Sequence, residues 1–251
     1  MIKILPLTGI REVAPGDDLP EILAEALTGT GIGLEAGDIL VVTQKIVSKA
    51  EGRFVTLSHV KPSQEAERLA AITYKDPRLV ELVLSESTAV LRAVPNVLIT
   101  RHRLGLVMAN AGIDRSNIGP GGEDRALLLP RDPDASARRI SLYLGERTGI
   151  TPAVVISDSF GRPWRYGVVS VGIGASGLPS LIDRRGELDR DGRKLEVTQI
   201  ALADMIATAA GLAAGEGAES IPAVLVRGYP LPDTSSPASV LVRSLDEDLF
   251  Q

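Results

Sequence analysis

The strongest constraint on how this chain folds is a set of short runs that are apolar through their middle and no longer than one strand. They are Asp38-Ile-Leu-Val-Val-Thr43, residues 153–157 and residues 223–227, with further strand candidates at 97–100 and 104–109. Such a run is long enough to cross a sheet and too apolar to lie on a surface. Two aspartates stand in small polar clusters beside runs of this kind: Asp114 in Asn110-Ala-Gly-Ile-Asp-Arg-Ser-Asn117, and Asp158 in Val154-Val-Ile-Ser-Asp-Ser-Phe-Gly-Arg162. A strand that buries its body delivers the residue just past it rigidly to a sheet edge, so both read as metal ligands. Hard oxygen ligands suit Mg²⁺ or Mn²⁺, ions that keep positions open for substrate phosphates, and the expected chemistry is phosphoryl transfer. The two aspartates are 44 residues apart (158 − 114). An aspartate after a strand also serves as a turn former or helix cap, so the residues alone leave both readings open.

Helices are expected at 17–28, capped by Asp17 or Asp18 with Pro20 in the first turn, and at 62–71. Others are expected at 134–146, with Asp132 or Asp134 near the start, and at 198–214, where Leu202, Met205, Ile206, Ala209, Leu212 and Ala213 form one stripe and Gly215 is the stop. Strands and helices mix without strict βαβ alternation, which predicts an α+β fold of mixed and antiparallel sheets with packed helices. At 251 residues and 44% apolar content, one domain over 1–251 has enough chain for one large core or two intimately connected lobes. The net charge of −5 offers no basic field for a nucleic acid. The absence of cysteine removes disulfides, thiolate metal sites and thiol catalysis, and makes a cytoplasmic location the expectation. The start, Met1-Ile-Lys-Ile-Leu-Pro6, is not a signal peptide, and no membrane span is expected.

Basic residues follow two of the runs. Lys45, Lys49 and Arg53 come after the first, and Arg162 and Arg165 flank Pro163-Trp164 after another. All are expected to project into the cleft that holds the metals, with Lys49 placed to reach a phosphate as a point charge, against the alternative of a solvated charged face. Three glycine-rich segments, 119–122, 172–177 and 215–220, can present backbone N–H groups to phosphate, Gly215 and Gly217 among them. None is a Walker A loop or a convincing dinucleotide fingerprint. Glu216, at the end of the long helix, is placed to supply a third metal carboxylate. His59 and His102 receive no role, and Trp164 is a candidate to stack on a flat ligand.

Taken together, Gly37-Asp-Ile-Leu-Val-Val-Thr-Gln-Lys-Ile-Val-Ser-Lys-Ala-Glu-Gly-Arg53, the Asp114 cluster and Ile156-Ser-Asp-Ser-Phe-Gly-Arg-Pro-Trp-Arg165 resemble the coenzyme F420-0:L-glutamate ligase family. The similarity runs nearly end to end, from Gly-Asp-Asp-Leu at 16–19 to Asp-Leu-Phe at 248–250, and corresponds to the stand-alone form without a C-terminal nitroreductase-like domain. The resemblance implies a GTP-dependent enzyme that adds L-glutamate to the phospholactate tail of a deazaflavin, coenzyme F420-0, and extends it through γ-linked amides. It implies two Mg²⁺ or Mn²⁺ ions per site, GTP as co-substrate, a monovalent cation such as K⁺ as a further component, and an intertwined homodimer. By that analogy Asp114 and Asp158 hold one metal, and Asp158, Ser159 and Glu216 hold the second. Gln44, Lys49 and Asn117 contact GTP, and the turn Ile10-Arg11-Glu12-Val13 completes its pocket, with Gly215 and Gly217 beside it. Two positions depart from the family's pattern near that pocket: Gln44 replaces a small hydroxyl residue, and Arg11-Glu12 replace proline and an apolar residue.

The residues suit this chemistry independently. A carboxylate condenses with an amine only after activation, and phosphoryl transfer to an acyl phosphate needs positioning and charge neutralisation rather than a protein nucleophile. Arg162 or Arg165 is then expected to hold glutamate or the deazaflavin's phosphate. The competing readings are a metal-dependent phosphohydrolase acting on a small phosphorylated or nucleotide substrate, and a non-catalytic binding protein in which both aspartates are turn residues.

Overall fold

A computed structural model describes residues 1–119 and 122–248. Pro120 and Gly121 of the expected glycine loop, and Leu249 and Phe250 of the C-terminal motif, lie outside the described residues. In chain order the elements begin with β1 (Lys3–Pro6), α1 (Leu19–Gly29), β2 (Ile39–Thr43), α2 (Gln44–Ala50), β3 (Phe54–Thr56), α3 (Gln64–Thr73), α4 (Pro77–Ser85), β4 (Ser87–Val94), β5 (Val97–His102) and β6 (Val107–Ala109). They continue with β7 (Arg125–Leu127), α5 (Pro133–Thr148), β8 (Ala153–Arg162), β9 (Arg165–Ser176), β10 (Leu181–Asp183), β11 (Gln199–Ala201), α6 (Leu202–Ala214) and β12 (Ala223–Arg227). The fold is α+β. No helix among the described residues is long and apolar enough to cross a membrane.

The central sheet has the order β1-β12-β2-β8-β9; β2 and β8 run parallel and every other pair is antiparallel. Helices cover both of its faces, which is why the central strands read as continuous apolar runs. On one face Leu40, Val42, Val154, Ile156 and Leu225 pack with Leu23 and Leu27 of α1, Ile46 and Val47 of α2, and Ile140 and Leu144 of α5. On the other, Ile39, Val41, Val155, Val224 and Val226 pack under Leu202, Ala203, Ile206, Ala207 and Ala210 of α6. The alternation along β2 (39 and 41 against 40 and 42) follows from the two-residue period of a strand. Arg227 ties the end of β12 to the start of β2, donating from Nε and Nη2 to the two oxygens of buried Asp38 at 2.8 and 2.7 Å. Away from this sheet, α3 and α4 pack through Leu69, Val80 and Val83 on Leu98 of the antiparallel β4-β5-β6 sheet, and β3 and β7 form a two-stranded ribbon.

Several expectations shift. The α6 stripe is rotated: Met205 is 59% and Leu212 83% exposed, while Ala203, Ala207 and Ala210 are buried. The reason is close approach, since a Cβ on Gly172 of β9 would stand 2.9 Å from the Ala203 side chain and 3.2 Å from its backbone. Only small residues fit where this helix meets the sheet. The glycine run 172–177 is therefore mostly strand rather than a phosphate loop, and the Gly172 N–H is taken by Asp204 Oδ1 at 2.9 Å. Asp158 lies inside β8 rather than past its end, because the strand continues through Arg162 in a hairpin with β9. Its parallel partner β2 stops at Thr43, opposite Ser157, so Asp158 is the first residue of β8 with open space on that flank.

Candidate active site

Where β2 ends, the sheet opens into a cleft of about 820 Å³ lined by Ile10, Arg11, Glu12, Val13, Gln44, Lys45, Lys49, Asp114, Ser116, Asn117, Asp158, Ser159 and the 215–220 loop. Four chain segments converge there, each for a local reason. Chain that leaves β2 turns at once into α2, so Gln44, Lys45 and Lys49 emerge at the sheet edge within two turns. Asp114 is fixed by a reciprocal backbone pair with Leu127, N–H to carbonyl at 2.9 Å in both directions. Asp158 and Ser159 come from β8, beside an irregularity in its pairing with β9 between Ile156 and Ser157. The loop bearing Glu216 follows α6, which stops at Gly215 with φ 71°; a side chain at that glycine would collide with the Glu219 carboxylate.

The cleft gathers negative charge faster than it supplies partners. Gln44 Nε2 donates to Asp114 Oδ2 at 2.7 Å, and Ser48 Oγ donates to Gln44 Oε1 at 2.9 Å, which orients the amide. Lys45 Nζ stands 3.5 Å from Asp114 Oδ2 and donates to the Ser116 carbonyl at 3.0 Å. Burial pushes the Asp114 carboxyl above its ordinary range, while Lys45 and Gln44 pull the other way. Asp158 is pushed up to about 7, by burial first and then by the Asp114 carboxylate, with Glu216 adding to it. The Ser159 N–H, donating to Asp158 Oδ1 at 2.9 Å, and Lys45 oppose the shift without cancelling it. Ser159 Oγ donates to both Glu216 oxygens, at 2.7 and 2.8 Å.

A buried carboxylate whose acidic neighbours raise its pKa, as Asp158 has, belongs to a donor set that a divalent cation would satisfy. Asp114, Asp158, Glu216 and the Ser159 hydroxyl are all hard oxygen donors facing one space. Among the described residues no three His, Cys, Asp or Glu side chains stand close enough to form a ready-made cage.

Other expected residues line the same cleft with their polar groups already engaged. Lys49 is 5% exposed, and its Nζ donates to Glu12 Oε1 at 2.5 Å. The Arg11 guanidinium is held by Asp17 at 2.7 and 3.1 Å. The backbone groups of Gly217 are occupied: its N–H donates to Glu219 Oε2 at 2.7 Å and its carbonyl accepts from Asn117 Nδ2 at 3.2 Å. The Gly215 N–H closes the helix onto Gly211 at 3.0 Å, so neither glycine has a free N–H to offer phosphate. Arg162 and Arg165 do not line the cleft. They pair with each other across the tip of the β8–β9 hairpin, where Arg162 Nη2 donates to the Tyr166 carbonyl at 2.9 Å and Trp164, with φ 58°, is 84% exposed. Pro163-Trp164 makes a tight turn that prolongs the pairing, which carries both arginines away from the strand ends.

Sequence reasoning expected Lys45 in the cleft without giving it a partner, and it stands beside Asp114; Ser48, Ser116 and Glu219 were given no role. Lys45 was the first basic residue after the apolar run, and that position was the available signal. A second cavity, about 670 Å³, is lined by Arg101, Arg131, Arg138 and Arg243 together with Asp132, Asp134, Asp204 and Asp248. Its charges balance, and Asp132, Asp134 and Asp204 are spent on backbone N–H groups.

A profile of the F420-0:gamma-glutamyl ligase family matches residues 9–228, a span that includes every residue of the acidic cluster. The chain belongs to this family. Proteins named coenzyme F420:L-glutamate ligase align with it along its whole length: 44% identity with that of Methanopyrus kandleri, covering 98% of the relative, and 44% with that of Methanothermobacter thermautotrophicus, covering 99%. The Haloarcula marismortui protein of the same name is 40% identical, with 96% of its length covered. Among F420-0:gamma-glutamyl ligases, then, this chain carries its acidic cleft at the end of β2, between the Asp114 and Asp158 motifs.

Proposed function

We propose that this protein is a GTP-dependent coenzyme F420-0:L-glutamate ligase that extends a γ-linked glutamate tail through an acyl phosphate. The observation that carries the reading is the Asp158 carboxyl, pushed up to about 7 by burial and by the Asp114 and Glu216 carboxylates, inside a cleft that also presents lysines. Membership of the ligase family, with relatives named for F420 and glutamate, supports the choice of substrates.

Asp114, Asp158 and Glu216, with the Ser159 hydroxyl, would hold two Mg²⁺ or Mn²⁺ ions, which supply charge neutralisation on the triphosphate when bound. Lys45 and Lys49 line the cleft and would steady phosphate oxygens, and Asn117 and the 10–13 turn would flank the nucleotide. The substrate carboxylate attacks the γ-phosphorus and GDP departs, leaving a mixed anhydride. The glutamate amine then attacks the acyl carbon, the C–O bond to phosphate breaks, and the released phosphate takes up the amine's proton. Excluding water from the anhydride would be the protein's remaining task.

The chain acts as an intertwined homodimer of two-lobed protomers in this reading. Support comes from apolar side chains left exposed on the hairpin and on the outer sheet: Trp164, Tyr166 and Val168, then Val90, Leu91, Val97 and Val107. A partner docked on the hairpin would bring Arg162 and Arg165 towards a cleft that they do not line within one chain. The deciding experiment is mass analysis after incubation with F420-0, L-glutamate, Mn²⁺ and either GTP or ATP. Glutamyl-extended product with GTP supports the assignment. Nucleotide hydrolysis without glutamate incorporation would make the protein a phosphohydrolase instead.

A further inference from the structure

Lys49 is a buried lysine whose ammonium reaches the cleft and is already taken by an acid. Its Nζ donates to Glu12 Oε1 at 2.5 Å, with the lysine side chain 6% and the glutamate 66% exposed. The two partners are unequal: the lysine's stem is locked in α2 among core residues, whereas the glutamate's lies in solvent and is free to rotate away. The backbone of the turn that carries Glu12 is fixed. Arg11 Nη1 donates to the Glu12 carbonyl at 3.1 Å and to Asp17 at 2.7 Å, Ala14 N–H donates to the same Asp17 oxygen at 2.7 Å, and Gly16 N–H bonds the Ala50 carbonyl at 2.9 Å. Across the cleft, Gly119 leaves room for the carboxylate: a Cβ there would stand 3.2 Å from Glu12 Oε1.

We infer that Glu12 is an internal competitor for the Lys49 ammonium, which a phosphate-bearing ligand must displace before the cleft can hold it. This rests on the reading of the cleft as a polyphosphate site and adds what sets its affinity. A carboxylate bonded to the buried ammonium occupies the position that a phosphate oxygen would take, and its charge repels the incoming anion. Displacement costs one charge-assisted bond of a half-exposed pair, so Glu12 weakens binding without abolishing it. Glutamine is the informative replacement, because its carbonyl oxygen still accepts from Lys49 while the negative charge is gone.

The test is calorimetric titration of the full chain and of Glu12→Gln with inorganic triphosphate and, separately, with GDP, both with Mg²⁺. The inference predicts that the variant binds each probe about three- to tenfold more tightly, with the melting temperature of the unliganded protein little changed. Equal affinities in the two proteins would overturn the inference while leaving the polyphosphate site standing. Weaker GDP binding with unchanged triphosphate binding would also overturn it, and would make Glu12 a reader of the base. Silence of both proteins towards both probes would remove the polyphosphate site itself, and this inference with it.

Discussion

Glu86 and Asp158 are both carboxylates drawn out of water, and the protein treats them in opposite ways. Glu86, at the end of α4, accepts from Arg53 Nη2 at 2.8 Å and Arg103 Nε at 3.1 Å, and faces His102 Nε2 at 3.5 Å. Burial raises its pKa, but His102, Arg53 and Arg103 outweigh burial and hold it at about 2. His102 is fully buried, and its Nδ1 accepts the Leu104 N–H at 3.0 Å, so the ring proton sits on the nitrogen turned to Glu86. Asp158 has as much reason to be satisfied and is not: its neighbours include two further acids, and it stands at about 7. A carboxylate left beside other acids, in a fold that surrounds Glu86 with two guanidinium groups and an imidazole, is a candidate functional site. The Glu86 cluster holds structure together, and the Asp158 cluster is the one we propose to bind cations.

The contrast breaks most easily at Asp158. Replacing it with Asn keeps the shape and removes the charge, and ligation measured by product formation is expected to fall about a thousandfold or more. The unliganded variant is expected to melt at or above the wild-type temperature, because the replacement relieves repulsion. Activity within tenfold of wild type would remove Asp158 from the site. Glu86→Ala is the mirror case: it strands two arginines, and urea unfolding should show a loss of about 3 kcal/mol, with activity per folded molecule retained.

The pH dependence sharpens the same comparison. The folded pKa of Glu86 lies below its model-compound value of 4.5, so its contribution is complete above that pH and disappears as pH falls towards about 2. Glu86→Gln should flatten that acid limb. For Asp158 the sign reverses. The native state binds more protons than the unfolded chain between 3.8 and about 7, so the metal-free protein loses stability as pH rises through that window. Saturating Mn²⁺ should remove the decline, and melting curves at pH 5 and pH 8 with and without the ion measure it. The smallest effect is expected at Ser48, whose hydroxyl orients Gln44 towards Asp114. Ser48→Ala should weaken metal or nucleotide binding by only a few fold.

Much of the central layer was legible in the residues because burial on both faces leaves an unbroken apolar signature. β12 coincides with its expected run, and β2 differs from it by one residue. α5 announces itself through Asp132, which caps the Ala135 N–H at 2.9 Å, and through Gly149 at its end. α2 was missed because it has only seven residues and no side-chain cap. The α6 face was misjudged because helical periodicity favours large side chains, whereas the contact with β9 selects alanines. In the site, the acids were legible as strand-associated polar clusters. The Lys49–Glu12 pair was not, since it joins a helix to an irregular turn 37 residues away. The arginines at 162 and 165 were placed in the cleft because nothing in their spacing shows that Pro163-Trp164 extends a hairpin instead of ending a strand.

The central claim is that the carboxylates of residues 114 and 158 share divalent cations. Anomalous diffraction at the manganese edge, from crystals grown with Mn²⁺ and a non-hydrolysable GTP analogue, tests it most directly. The account predicts manganese peaks bridging Asp114 and Asp158, with Glu216 turned towards one of them. Manganese bound elsewhere, with those two side chains empty-handed, would contradict it.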